Sequence, residues 1–170
     1  MKISHLQKGF TLVEMILYVA LCSLLLVSIS TLLSSLLSAR VRSQAINEVN
    51  QQGFQVMHLM TSTIRNGRSI QTPSIGATSS LLSVTVVNSI ASPTIFNIAS
   101  GTLRIQEGSG VSVALTNSRV SASALQFQNV SSASTTEKIV KLTFVLSSNN
   151  ISGRSEYSFS KTFTGSATLR

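Results

Sequence analysis

The side chains able to do chemistry are few in this sequence, and their spacing excludes most of it. All five acidic residues are Glu, the two histidines are His5 and His58, and the one cysteine is Cys22. Neither histidine has a cysteine or a second histidine at ligand spacing, and without any Asp an ordinary Ser-His-Asp triad has no third member. No nucleophile-base pair, metal set or phosphate-cradling loop can be assembled, so the chain reads as a non-enzyme that needs no cofactor. A lone cysteine closes no internal disulfide, and Cys22, inside an apolar run, reads as a small membrane-facing hydrophobe. What remains is Glu14, a carboxylate near the front of a stretch that otherwise reads as a membrane span. An acidic side chain at the centre of such a helix costs on the order of 2.5 to 3.5 kcal/mol, so it calls for a partner or an interfacial depth.

The element that carries Glu14 is long. From Met15 to Ala39 there is no charged residue over about 25 positions, enough for a helix to cross a hydrocarbon core of about 30 Å. A secretory signal peptide is the competing reading, with Leu37-Ser38-Ala39 as a weak cleavage site, but its apolar core is typically only about 7 to 15 residues. Beyond Ala39 the pattern stays helical and becomes amphipathic. Val41, Ala45, Val49, Val56 and Met60 form a stripe that Gln52 interrupts, and Ile46, Met57 and Ile64 widen it. Gly53 within this pattern marks either a weak point or a close helix-sheet contact. Asn66-Gly67, with Pro73 beyond, predicts a left-handed cap and a helix end near Asn66.

After SIQTPSIGATSS the period shortens to two. Strands are expected at 81–88, 94–99, 102–106, 111–116, 125–130, 138–147 and 156–164, joined as an antiparallel meander. Ser100-Gly101, Glu107-Gly108-Ser109-Gly110 and Ser148-Asn149-Asn150 have the composition of hairpin turns. Alternation places Val140, Leu142, Phe144 and Leu146 on a buried face, and likewise Tyr157, Phe159 and Phe163. A sheet with one apolar face needs a cover, and the amphipathic half of the helix supplies one. The serine- and threonine-rich VSSASTTEK reads as an exposed loop. Asn129-Val130-Ser131 and Asn150-Ile151-Ser152 match a glycosylation sequon, a pattern short enough to arise by chance.

The net charge of +8 comes from 13 Lys and Arg, scattered rather than massed. A basic chain invites nucleic acid or anionic lipid as a partner. No aromatic stripe accompanies these residues, which disfavours nucleic acid as the primary partner. Clustering of Arg104, Arg119, Lys138, Lys141 and Arg154 on one face would favour DNA, and scatter would argue against it.

The stretch K-G-F-T-L-V-E, Lys8 to Glu14, between a short basic leader and the apolar helix, resembles the class III signal of type IV prepilins and pseudopilins. The resemblance implies an α+β, pilin-like fold in which a long N-terminal helix, transmembrane in its first half and amphipathic in its second, packs on a small antiparallel sheet. It implies a leader at 1–9, a transmembrane and assembly helix at 10–39, an amphipathic continuation at 40–68 and a β-rich domain at 69–170. It further implies that a prepilin peptidase cuts between Gly9 and Phe10 and methylates the amine of Phe10, and that Glu14 pairs with that amine on a neighbouring subunit. Glycine before the cut suits a protease that approaches extended backbone closely. Lys2 and Lys8 would hold the N-terminus on the cytoplasmic side of the cell membrane, with the C-terminal domain outside, before the subunit joins a surface or periplasmic filament. The partners implied are the peptidase, other pilins or pseudopilins, and the bilayer. Major pilins of this family often carry a helix-bending proline where this chain has Thr31, and a C-terminal cysteine pair that it lacks. Those departures, with GTLRIQ and FTGSATLR, point toward a minor pilin of the J or W type, in a pilus or a type II secretion-like filament. A DNA-binding or adhesive minor pilin and an ordinary single-span membrane protein stay open as alternatives.

Overall fold

The computed structural model describes residues 9, 11–132, 137–150, 153 and 158–169. Phe10, Lys2, Lys8, His5, Arg154, Glu156 and Tyr157 lie outside the described residues. Two compact units divide the chain, one up to Arg40 and one from Val41.

In the first unit the helix α1, Leu12–Arg65, begins, and its large apolar side chains from Leu12 to Leu37 are exposed on every side. Four of its hydroxyls donate to the helix's own carbonyls: Ser23 to Ala20, Thr31 to Ser28, Ser34 to Ser30 and Ser38 to Ser34, at 2.8 to 3.0 Å. Each of these hydroxyls is thus satisfied without water, which a helix surrounded by hydrocarbon requires.

In the second unit the same helix buries Val49, Gln52, Gly53, Val56, Met60 and Ile64, a stripe at the 3.6-residue period. Gln52 belongs to the buried face instead of breaking it, because both ends of its amide are hydrogen-bonded. Gly53 is a close contact: a Cβ there would overlap the ring of Phe163. That ring stacks on Phe144 at 5.3 Å and makes a T-shaped contact with Phe54 at 5.7 Å. Lys161 Nζ lies 5.1 Å from the Phe54 centroid and donates to Asn50 Oδ1 at 2.7 Å, which fixes the start of the last strand to the helix.

The sheets are two, where a single meander was expected. One is built from β1 (Gly67–Thr72), β3 (Leu82–Val86), β4 (Thr94–Ala99), β5 (Thr102–Glu107) and β6 (Val113–Ala114), in that order. The other runs β2 (Thr78–Ser79), β7 (Val120–Asn129), β8 (Ile139–Ser148), β9 (Ser160–Thr168). All pairings are antiparallel. The division arises because β2 pairs with β7, Thr78 opposite Gln128, and leaves β1 to pair with β3. Leu82, Val84, Phe96 and Leu103 of the first sheet and Phe127, Val140, Leu142, Phe144 and Leu146 of the second meet the helical stripe in one core.

Several boundaries differ from the sequence expectation for local reasons. No left-handed cap follows the helix, because Gly67 already starts β1 and lies against Val84, where a Cβ would come within 2.5 Å of its Cγ1. The strand expected at 111–116 contracts to two residues, Val113–Ala114, with Val111 exposed. The last strand is displaced to Ser160–Thr168 with its inward parity kept, Phe163 and Ala167 buried. β7 starts five residues early and carries a bulge at Ala124, whose φ is 50°. The bulge exchanges the inward parity: Val120 and Ala122 are buried before it, Leu125, Phe127 and Asn129 after it. Asn129 of the first sequon is buried, and its Nδ2 donates to the Pro73 carbonyl at 2.9 Å. The second sequon lies partly outside the described residues.

Candidate processing and assembly site

Gly9 is exposed, and nothing lies within 4 Å of the position a Cβ would take. Thr11 opens the helix: its Oγ1 accepts from the Glu14 amide at 3.3 Å and its carbonyl from the Met15 amide at 3.2 Å. Thr-x-x-Glu is a capping-box spacing, so the sequence carried a signal for this helix start that the reading by resemblance passed over. The acidic side chain in the first turn also suits the positive end of the helix dipole.

The Glu14 carboxylate is directed along the helix. Its Oε1 accepts from the phenol of Tyr18 at 3.2 Å, one turn further on. Around the pair stand the exposed apolar side chains of Leu12, Val13, Met15, Ile16, Leu17 and Val19, Val13 being 72% exposed. Glu14 is itself only partly exposed. The site thus consists of a half-covered carboxylate at the start of an apolar helix, an exposed glycine before it, and a tyrosine that sequence reasoning did not single out. The four-residue spacing was the available sign of that tyrosine.

A second polar cluster ties the far half of α1 to the loop before β7. Glu48 Oε1 accepts from Asn117 Nδ2 at 2.7 Å and from Gln52 Nε2, while Gln52 Oε1 accepts from the Asn117 amide at 3.0 Å. These donors, Asn117 before Gln52, and the more distant charge of Arg119 hold the Glu48 carboxyl below its ordinary range, against the opposing effect of burial. An open groove of about 600 Å³ lies beside it, lined by Gln44, Asn47, Glu48, Gln51, Arg119 and Asn149 among others. Glu48, Gln52 and Asn117 are partnered with one another, so the cluster reads as a fastening of helix to loop.

The basic residues whose clustering would favour DNA come from different elements, and Arg154 lies outside the described residues. Arg104 is on β5 of the first sheet, Lys141 on the outward face of β8 in the second, Lys138 just before β8, and Arg119 in the turn before β7. Among the described residues no group of three or more His, Cys, Asp or Glu is placed to hold a metal ion.

No curated protein and no solved structure matches the chain. Residues 4–30 match the family model described as the prokaryotic N-terminal methylation motif, the same residues that hold Gly9, Glu14 and the first half of the apolar helix. Residues 4–30 therefore carry the class III signal of type IV pilins, which runs into the long helix of an α+β, pilin-like fold with antiparallel sheets.

Proposed function

We propose that this chain is a structural pilin subunit of the minor or pseudopilin kind, released from its leader 1–9 by hydrolysis of the Gly9–Phe10 peptide bond and methylated on the amine of Phe10. The helix 10–39 anchors the subunit in the cell membrane, with the N-terminus on the cytoplasmic side, before assembly. In the filament it exchanges lipid for the helices of other pilins. Residues 40–68 then serve as the helical support of the β-rich domain 69–170. The observation that carries this reading is the conjunction of the methylation motif at residues 4–30 with a carboxylate, Glu14, in the first turn of a helix otherwise clothed in exposed apolar side chains.

Glu14 serves as the assembly contact in this reading. Once leader cleavage has exposed the Phe10 amine, a neighbouring subunit presents a cation where the medium offers the carboxylate no water, and pairing there offsets a desolvation that neither group can offset alone. The subunit itself performs no chemistry: it is the substrate of the peptidase. Arg104, Arg119, Lys138 and Lys141 belong to two sheets and a turn, and a DNA-binding or adhesive minor pilin is the alternative reading, which a steep salt dependence of DNA affinity would favour.

The test is mass spectrometry of the N-terminus after co-expression with a prepilin peptidase. A chain starting at N-methylated Phe10 is the expected result. An intact Met1, or a start at Arg40, would return the chain to the plain-anchor or secreted-domain readings.

A further inference from the structure

At the start of the helix the phenol of Tyr18 reaches the Glu14 carboxylate, its O–H donating to Oε1 at 3.2 Å. Positions four apart on a helix lie one above the other, so the contact needs no distortion of either residue. In water such a contact would be one of many available to a carboxylate. Here it is set among Leu12, Val13, Met15, Ile16, Leu17 and Val19, a surface fitted to hydrocarbon, whose side chains offer no donor in its place.

The chemical type of the donor matters. A lysine or arginine at this position would neutralise Glu14 within its own helix and leave little attraction for an external cation. A phenol is uncharged: it relieves part of the cost of burying the carboxylate and leaves the negative charge in place. An ionised carboxylate accepts at two oxygens, so a phenol engaged at Oε1 leaves Oε2 able to accept from an ammonium at the same time.

We propose that Tyr18 is a positioning residue for subunit assembly: its phenol holds the Glu14 carboxylate along the helix in the unassembled, membrane-anchored chain and keeps it oriented for the amine of a neighbouring subunit's Phe10. The proposal rests on the assembly role assigned to Glu14 and adds to it the group that maintains the carboxylate until its partner arrives. Tyr18 then acts on assembly and leaves leader cleavage alone.

Two measurements on the full chain in lipid vesicles and in a filament-forming host test this. With Tyr157→Phe, Tyr18 is the sole tyrosine of the two in the sequence, and its Raman doublet reports whether the phenol donates a strong hydrogen bond. Introducing Glu14→Ala in that background is expected to move the doublet from the donor to the unbonded pattern; an unchanged doublet would overturn the contact. In the host, Tyr18→Phe is expected to lower incorporation roughly fivefold, the scale of one hydrogen bond, with cleavage unchanged. Tyr18→Gln, which restores a donor, should recover part of the loss. Normal incorporation of Tyr18→Phe beside failure of Glu14→Ala would overturn the positioning role and leave the Glu14 reading standing. Normal incorporation of Glu14→Ala would remove both.

Discussion

Phe163 lies directly over Gly53, its ring filling the space where any other residue would carry a Cβ. Here the helix backbone and the second sheet are in close contact, and the ring cannot easily withdraw, being stacked on Phe144 and held in a T-shaped contact with Phe54. Gly53→Ala would improve helix propensity by about 1 kcal/mol. The overlap with a confined ring outweighs that, and a net loss of about 1 to 2 kcal/mol is expected. Thermal unfolding of the full chain in detergent checks it, and Phe163→Leu in the same chain should relieve the strain, giving a non-additive double mutant. A Gly53→Ala chain as stable as the parent would mean that the contact is looser than described.

The Glu48 cluster predicts a pH dependence. Folding lowers the carboxyl below its ordinary value of 4.5, first through Asn117, then through Gln52, with Arg119 contributing less. A depressed folded-state value means the contribution is present above the ordinary value and is lost as pH falls through the lower, folded one. Because the group is largely solvated, the contribution stays under about 1 kcal/mol after screening. The melting temperature of Glu48→Gln should therefore fall less steeply than that of the parent on going from about pH 6 to pH 3. Parallel curves for the two proteins would remove Glu48 from the account.

Ser100 and Gly101, between β4 and β5, both have positive φ, 52° and 71°. That is the geometry of a two-residue hairpin turn in which asparagine is preferred at the first position. Ser100→Asn should stabilise the chain by about 0.5 kcal/mol, and Ser100→Val should destabilise it by about 1 kcal/mol or more. Opposite signs in chemical denaturation of the two variants would establish the turn type, and a shared sign would contradict it.

Processing and assembly should separate genetically. Replacing Gly9 by Val puts a branched side chain on a backbone now open on all sides, and the precursor should accumulate uncut. Glu14→Ala should be cut nearly as well as the parent yet be depleted from filaments. Immunoblotting of the membrane and filament fractions distinguishes the two, and depletion of the Glu14 variant only through failed cleavage would shift its role to peptidase recognition.

The helix and its change from an apolar to an amphipathic half were legible in the sequence because a 3.6-residue period and the absence of charge are both local signals. β8 was legible for the same reason, with Val140, Leu142, Phe144 and Leu146 all buried. β7 was only half visible, since the bulge at Ala124 changes which parity faces inward and breaks the alternation that a reader follows. Its Ser and Ala residues also carry little strand propensity. Partition into two sheets rests on the pairing of Thr78 and Ser79 with Phe127 and Gln128, about fifty positions apart, a relationship no window contains. Within the candidate site, Glu14 stood out as a carboxylate in an apolar run, and Gly9 through the resemblance of Lys8 to Glu14 to a prepilin signal. Tyr18 was not, because a tyrosine near a membrane boundary has an ordinary explanation as an interfacial anchor and only the hydrogen bond distinguishes it.

The hydroxyls that fold back onto α1 have one further effect. With Ser23, Thr31, Ser34 and Ser38 donating to carbonyls of their own helix, the apolar unit turns four of its hydroxyls away from its surroundings and presents them mainly with hydrocarbon side chains. Packing by dispersion alone would leave the rotation of such a cylinder about its own axis only loosely specified. In the assembly role proposed for Glu14, its single acidic meridian would act as a compass mark, giving the rotation a zero that shape by itself would not supply.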